Sequence, residues 1–296
     1  MTTSANMFTS GATSASYLNP QIWSDQIEQV AREASVFPAL GVIDNRALGT
    51  SGVQINIAKN QAFSAAALTE GVATPVTTMA FDQVTVTFAE YGLAKQISML
   101  QLAYGLKGVF DDITRNMGLA LAEKRDSVIV TAASAGAANT LYADGVTSGS
   151  ITSANVFDTD LIANGKTTIR LQKRMAKYLV VHPACENSLL KDTQFVDASE
   201  YGGREVVLNG EIGKYLGMKV ISSAYITSAT ENSVTVYQNL MLADRPYVWA
   251  PKMAPRVVWK EDSVLDRAIT FAADEAYGVK VLNSESICVL KSTGGI

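Results

Sequence analysis

The sequence predicts an α+β fold. Three observations predict it. Residues 108–135 carry a long helical pattern with one apolar face. Residues 53–57 (Val, Gln, Ile, Asn, Ile) and 84–88 (Val, Thr, Val, Thr, Phe) alternate strictly, as strands do. Strand patterns crowd the last fifty residues, whereas residues 158–237 mix helix and strand patterns.

Residues 1–19 are uncharged, rich in Ser, Thr and Ala, and without a period. They read as a flexible arm that another surface must order. Asn19 can cap a helix and Pro20 suits its first position. Ile22, Trp23, Ile27 and Val30 then form an apolar stripe, which Phe37 and Pro38 are expected to end. Between the two alternating strands lie 26 residues, 58–83, with only three charges, Lys59, Glu70 and Asp82. A loop of that length is awkward in a compact domain. It reads better as a two-stranded arm projecting from the body. An isolated hairpin is marginally stable. Its uncharged tip, with Ala65, Ala66, Ala67, Leu68 and Val72, therefore requires a neighbouring surface.

The long helix follows Gly108, and Asp111 and Asp112 in its first turn suit the helix dipole. Phe110, Ile113, Met117, Leu121, Val128 and Ala132 mark its expected apolar face. At 1.5 Å per residue it spans about 40 Å, the dimension of a strut. Gly118 inside it costs about 1 kcal/mol against Ala and suggests a bend or a close approach. Residues 127–157 hold one charge, Asp144, and read as the end of the helix passing into loops or small strands. Asp158 and Asp160 open another helix carrying Leu161, Ile162, Ile169 and Leu171. Residues 178–182 form a short buried strand, and Pro183 starts a helix through Lys191. Gly202 and Gly203 mark a loop, and residues 218–222 and 234–237 read as strands. Pro246, Pro251 and Pro255 break up the entry to the last sheet, whose strands centre on Val257, Phe271, Val279 and Val289.

Composition excludes several function classes. Charged residues make up 18%, against a usual 25% or so, and the net charge is −4. A dedicated nucleic-acid binder is normally basic. The single histidine, His182, excludes multi-histidine metal sites and leaves one candidate His base. Two cysteines, Cys185 and Cys288, make no disulfide framework, so reduced thiols and cytosolic synthesis are expected. No positive residue precedes Arg32 and no secretory signal pattern is present. No apolar run is long enough to cross a membrane as a helix.

Candidate chemistry is sparse. His182 and Cys185 supply two ligands where a closed zinc site needs four. Gly165, Lys166 and Thr167 match the tail of a phosphate loop, but Asp160 stands where its first glycine belongs. Gly210, Gly213 and Gly217 lack the dinucleotide-binding spacing and read as turns. Lys166, Arg170, Lys173 or Arg174, and Lys177 recur at helical spacing and read as a solvated face. No catalytic, metal or cofactor residue is assigned, and no enzyme is expected.

Several stretches in order resemble the major capsid (coat) proteins of tailed bacteriophages. Residues 68–75 (Leu, Thr, Glu, Gly, Val, Ala, Thr, Pro), set between alternating strands, resemble their extended loop. The helix from 108 resembles their spine helix. Residues 179–183 (Leu, Val, Val, His, Pro) and 213–222 resemble segments of their axial domain, and 278–289 their closing peripheral strands. The resemblance implies the capsid-shell fold shared by tailed phages and herpesviruses. It divides the chain into an N-terminal arm and first helix (1–47), an extended β-hairpin loop (48–98), a peripheral domain with the spine helix and a β-sheet (99–157 and 246–296), and a mixed α/β axial domain (158–245).

The implied function is structural: hexamers and pentamers closing into an icosahedral shell around double-stranded DNA, found in the virion and made in the host cytoplasm. The alternative is a non-viral, encapsulin-like nanocompartment shell. A third class, an enzyme with an unrecognised carboxylate site, has no motif behind it. Implied partners are further copies of the chain, a portal protein, a separate scaffolding protein, DNA bound without sequence specificity, and room for a decoration protein. No cofactor and no membrane is implied. Some relatives cross-link through a loop lysine; Lys59 lies in that region, but no motif matches. Expected subunit contacts are Lys59, Phe63, Leu68, Glu70, Val72 and Pro75 in the loop and Tyr17 in the arm.

Overall fold

The computed structural model describes residues 35–60, 63, 65, 67–71, 73, 74, 76, 78, 79, 81–98, 109–191, 214–262 and 268–295. The arm, its helix with the Ile22–Val30 stripe, and glycines 202, 203, 210 and 213 lie outside the described residues. The elements in chain order are α1 (Phe37–Leu40), β1 (Val42–Ile43), β2 (Gln54–Asn60), β3 (Phe81–Thr87), β4 (Ala89–Ser98), α2 (Val109–Ala135) and β5 (Asn139–Tyr142). Then come α3 (Thr159–Leu171), β6 (Tyr178–Val181), α4 (Pro183–Lys191), β7 (Lys214–Tyr215), β8 (Met218–Ser222), β9 (Ser228–Glu231) and β10 (Val234–Leu242). Three long strands close the chain: β11 (Tyr247–Asp262), β12 (Ala268–Val281) and β13 (Ile287–Thr293).

Phe37 and Pro38 start a short helical turn of their own, since the first turn needs no N–H from proline; the stripe they are expected to end lies outside the described residues. Phe37 is fully buried, and the Tyr247 hydroxyl donates to its carbonyl at 2.6 Å.

The described strands form three sheets. The first runs β1-β11-β12-β4. Its β11 passes straight through Pro251 and Pro255, where the sequence suggested a broken entry. Register shifts on either side of Met253 absorb the missing donors. The second sheet has seven strands, β5-β13-β10-β6-β8-β7, with β9 also paired to β10. It takes β5 and β13 from outside residues 158–245, so its pairing runs across the boundaries expected for the axial domain. The third is the hairpin β2–β3, antiparallel from Gln54 opposite Thr87 to Asn60 opposite Phe81.

Helix α2 ties the two larger sheets together. Its Met117 and Leu121 pack on Ile269, Phe271 and Ala273 of the first sheet. Its Ile129, Val130 and Ala133 pack on Leu240, Leu242, Ile287 and Val289 of the second. At 27 residues it is about 40 Å long, enough to serve both. The buried face steps by four through Met117, Leu121, Ile129 and Ala133. Val128 and Ala132, expected on that face, are only half-buried. The charged pair Arg125 and Asp126 interrupts the apolar signal there, yet Asp126 is fully buried. No atom lies within 4 Å of a side chain placed at Gly118, so no close approach occurs there.

The seven-stranded sheet is covered on both faces. Leu179 and Val181 face Leu161, Ile162, Ile169 and Leu189 of α3 and α4. Val180 faces the α1 and α2 side. Burial on both faces explains the unbroken apolar run at 179–181. The same cause extends β10 through Leu240, Met241 and Leu242, where alternation is lost.

Candidate assembly surface

The hairpin is anchored at its root and open beyond it. Val86 is fully buried and packs with Val248, Ala250, Ile55 and Ile57. Gly278 makes this seat possible. A Cβ there would lie 2.6 Å from the Thr87 carbonyl oxygen, a clash that glycine avoids. Lys59 stands opposite Asp82 near the last paired residues, and its Nζ donates to the Leu282 carbonyl at 3.3 Å.

Strand pairing ends at Asn60 and Phe81. The apolar side chains beyond that point face solvent: Phe63 is 76% exposed, Leu68 68% and Val76 95%. Met79 and Phe81 are also exposed. Glu70 sits exposed in a turn with Gly71, whose φ of 80° is a left-handed value. Phe63, Leu68 and Glu70, three of the expected contact residues, thus share one exposed loop. Lys59 lies at its root, and Val72, Pro75 and Tyr17 lie outside the described residues. Fully burying an apolar side chain is worth about 1.5–3 kcal/mol. Five of them offer on the order of 10 kcal/mol before the costs of association. Val76, Met79 and Phe81 were missed in the sequence. Their types suit a core as well as a contact, and only their position at or past the end of the paired root distinguishes the two.

The chemical candidates resolve into structure. His182 stacks on Tyr237 with ring centroids 4.2 Å apart, and its Nδ1 accepts from the Ala184 N–H at 3.1 Å, capping α4. Cys185 and Cys288 are fully buried in one core cluster. Burial pushes the Cys185 thiol up, and that of Cys288 up to about 12, so neither is a reactive thiolate. A Cβ at Gly165 would lie 2.8 Å from Leu290 Cδ2, so this glycine serves the close approach of α3 to β13. Gly217, with φ of 80°, follows Leu216 at 49° in the β7–β8 turn. The basic stripe is partly spoken for. Lys166 donates to the Leu216 carbonyl at 2.7 Å, Arg174 pairs with Glu285 at 3.3 Å, and Lys177 with Asp244 at 2.5 Å. Among the described residues no three of His, Cys, Asp and Glu gather as a metal site, and no helix is long and apolar enough to cross a membrane.

An exposed apolar loop on a firmly seated root is a geometry for contact between large molecules. Comparison with known proteins agrees. A family model described as phage capsid protein matches residues 81–291. No curated protein matches. Among solved structures, the chain is similar to one from the Cyanophage Pam1 capsid asymmetric unit, with a TM-score of 0.75 at 14% identity over 99% of this chain and 100% of that one. A structure from Mycobacterium phage Che8 gives 0.72 at 18% identity over 92% and 96%. The acidic stable capsid of Helicobacter pylori bacteriophage KHP30 gives 0.73 at 11% identity over 98% and 100%. The α+β architecture is thus that of phage capsid shells, and the chain, matched over more than two thirds of its length, belongs to the phage capsid protein family.

Proposed function

We propose that copies of this chain assemble as hexamers and pentamers into an icosahedral shell that encloses double-stranded DNA. The observation that carries the reading is the hairpin, with a buried root and a loop on which the apolar Phe63, Leu68 and Val76 are exposed. Symmetric assemblies repeat one set of contacts, and a projecting arm supplies such a set. In this reading α2 and the four-stranded sheet form the peripheral domain, the seven-stranded sheet with α3 and α4 the axial domain, and β2–β3 the extended loop. Residues 1–47 bring the arm and first helix. A net charge of −4 suits a wall that holds DNA without sequence-specific grip. Portal, scaffolding and decoration proteins are the proposed further partners, and the host cytoplasm the proposed place of synthesis before the virion.

Electron microscopy with light scattering tests the reading. The intact chain is expected to form uniform closed particles. Replacing residues 61–80 with Asn-Gly is expected to leave a folded, soluble body that forms none, because Asn60 and Phe81, the last opposed pair, then flank a two-residue turn and the β2–β3 register is kept. Closed particles from the shortened chain would overturn the reading. Nuclease-protected DNA in particles from the native source identifies a genome container; a protein cargo without DNA identifies the compartment instead.

A further inference from the structure

The loop carries one charge that an apolar contact must accommodate. Between Phe63 and Met79, Glu70 is the single charged residue. It is exposed, and no cation pairs with it among the described residues. Pressing a carboxylate into an interface without a cation is strongly unfavourable. The surface that receives the loop must therefore supply one.

A depression at the hairpin root supplies three. Lys59, Arg174 and Arg245 line it together with Ile57, Leu282 and Asn283. Arg174 shares one ion pair, with Glu285 at 3.3 Å, while its Nε is buried without a protein partner. Arg245 occupies the corner before β11 with φ of 47°. Among the described residues no carboxylate pairs with Arg245 or Lys59. Two of the three cations thus carry no ion pair among the described residues, and Ile57 and Leu282 give the same hollow an apolar wall.

We propose that Glu70 of one copy docks in the Lys59–Arg174–Arg245 depression of a second copy. This rests on the hairpin-mediated assembly proposed above. The match is one of both charge and polarity. A loop with one carboxylate among Leu68 and its apolar neighbours meets a hollow in which Lys59 and Arg245 carry no ion pair among the described residues, beside Ile57 and Leu282. A DNA phosphate would satisfy the cations alone and leave the apolar wall unmatched.

Charge reversal tests the pairing. Glu70→Lys, and separately Arg174→Glu combined with Arg245→Glu, are each expected to cut the yield of closed particles about tenfold or more, since like charges then face each other. The chain carrying all three changes is expected to recover the particles. Glu70→Cys with Arg245→Cys, mildly oxidised with diamide, is expected to give a ladder of disulfide-linked chains. The proposal is overturned if Glu70→Lys assembles like the parent chain, if the triple exchange restores nothing, or if cross-links form only within single chains. It is also overturned if Arg174→Glu with Arg245→Glu assembles normally but loses retention of a duplex DNA oligomer, which would assign the depression to phosphate. These outcomes are separable from failure of the assembly reading, which the Asn-Gly replacement of residues 61–80 decides by itself.

Discussion

Asp126 is fully buried on α2, although it follows Arg125 in a pattern that resembles a solvated face. Its Oδ1 accepts from the Ser35 hydroxyl at 2.7 Å and its Oδ2 from the Val36 N–H at 3.3 Å. Arg125, next in line, turns about 100° around the helix and pairs with Glu275 at 2.5 Å. Two adjacent residues therefore fix two different parts of the chain to one helix. Asp126 holds Ser35 and Val36, and the Tyr247–Phe37 hydrogen bond fastens the next residue. Removing the carboxylate leaves the half-buried Val36 N–H without its acceptor, which costs about 1–3 kcal/mol, while the exposed Ser35 hydroxyl can turn to water. Asp126→Ala is expected to lower unfolding free energy by about 1–3 kcal/mol in urea denaturation, and Asp126→Asn by less, since one acceptor oxygen remains. An unchanged midpoint for Asp126→Ala would contradict the assignment. The partners of Asp126 lie ninety residues away, so nothing in the local sequence marks it as buried.

At the scale of elements, three strands are tied by one polar network. Glu231 ends β9, Tyr142 ends β5, and Lys291 lies on β13. Lys291 Nζ donates to Glu231 Oε1 at 2.6 Å and to the Tyr142 hydroxyl at 3.1 Å, and that hydroxyl donates to Glu231 Oε2 at 3.0 Å. Burial pushes the Glu231 carboxyl up. Its hydrogen bonds with Lys291, Ser148 and Tyr142 outweigh burial and hold it below the usual carboxylate range. The unfolded chain then takes up this proton more readily than the folded one. The network's stabilisation is present above the ordinary glutamate range and is lost as pH falls through and below it. Asp44 beside Arg46 and Asp274 beside Arg256 are lowered by their arginine hydrogen bonds and act in the same direction. Lys291 is lowered by burial but raised on balance by Glu231, so its share persists until strongly alkaline pH. Glu231→Gln is expected to flatten the fall in thermal stability between about pH 5 and 3 and to cost about 1–3 kcal/mol at neutral pH. An acid limb identical to the parent's would refute this account.

At the scale of the molecule, α2 spans two sheets while the β2–β3 hairpin leaves them. Its loop contributes little to the stability of the isolated chain because its apolar residues face water. Changing Phe63, Leu68 and Val76 together to serine is therefore expected to leave the unfolding midpoint of the unassembled chain within the range of surface substitutions, about 0.5 kcal/mol each. Particle yield is expected to collapse, since in the proposed assembly the same residues carry the apolar part of the contact. A large loss of chain stability would place these side chains in an intramolecular core and contradict the surface described here.

The sequence by itself determined the elements whose causes are local. Alternation marked β2 and β3, Asp158 marked the start of α3, where its side chain accepts from the Leu161 N–H at 2.8 Å, and Pro183 marked the start of α4. It also marked the loop as a long segment between strands with few charges and no core of its own, and the apolar Phe63, Leu68 and Val76 there are exposed. Only the tertiary structure decided the rest. Pro251 and Pro255 sit inside a strand because bulges beside Met253 remove the need for their N–H groups. Gly165 and Gly278 are required by elements that approach from elsewhere in the chain. Residues 139–142 and 287–293 join the sheet of 178–242 through pairings between distant segments. Arg174 and Arg245 meet Lys59 only when the hairpin root folds back on the turns at 245 and 282. Propensity and periodicity act over a few residues; burial, register and charge neighbourhoods are set by segments that meet only in the folded chain.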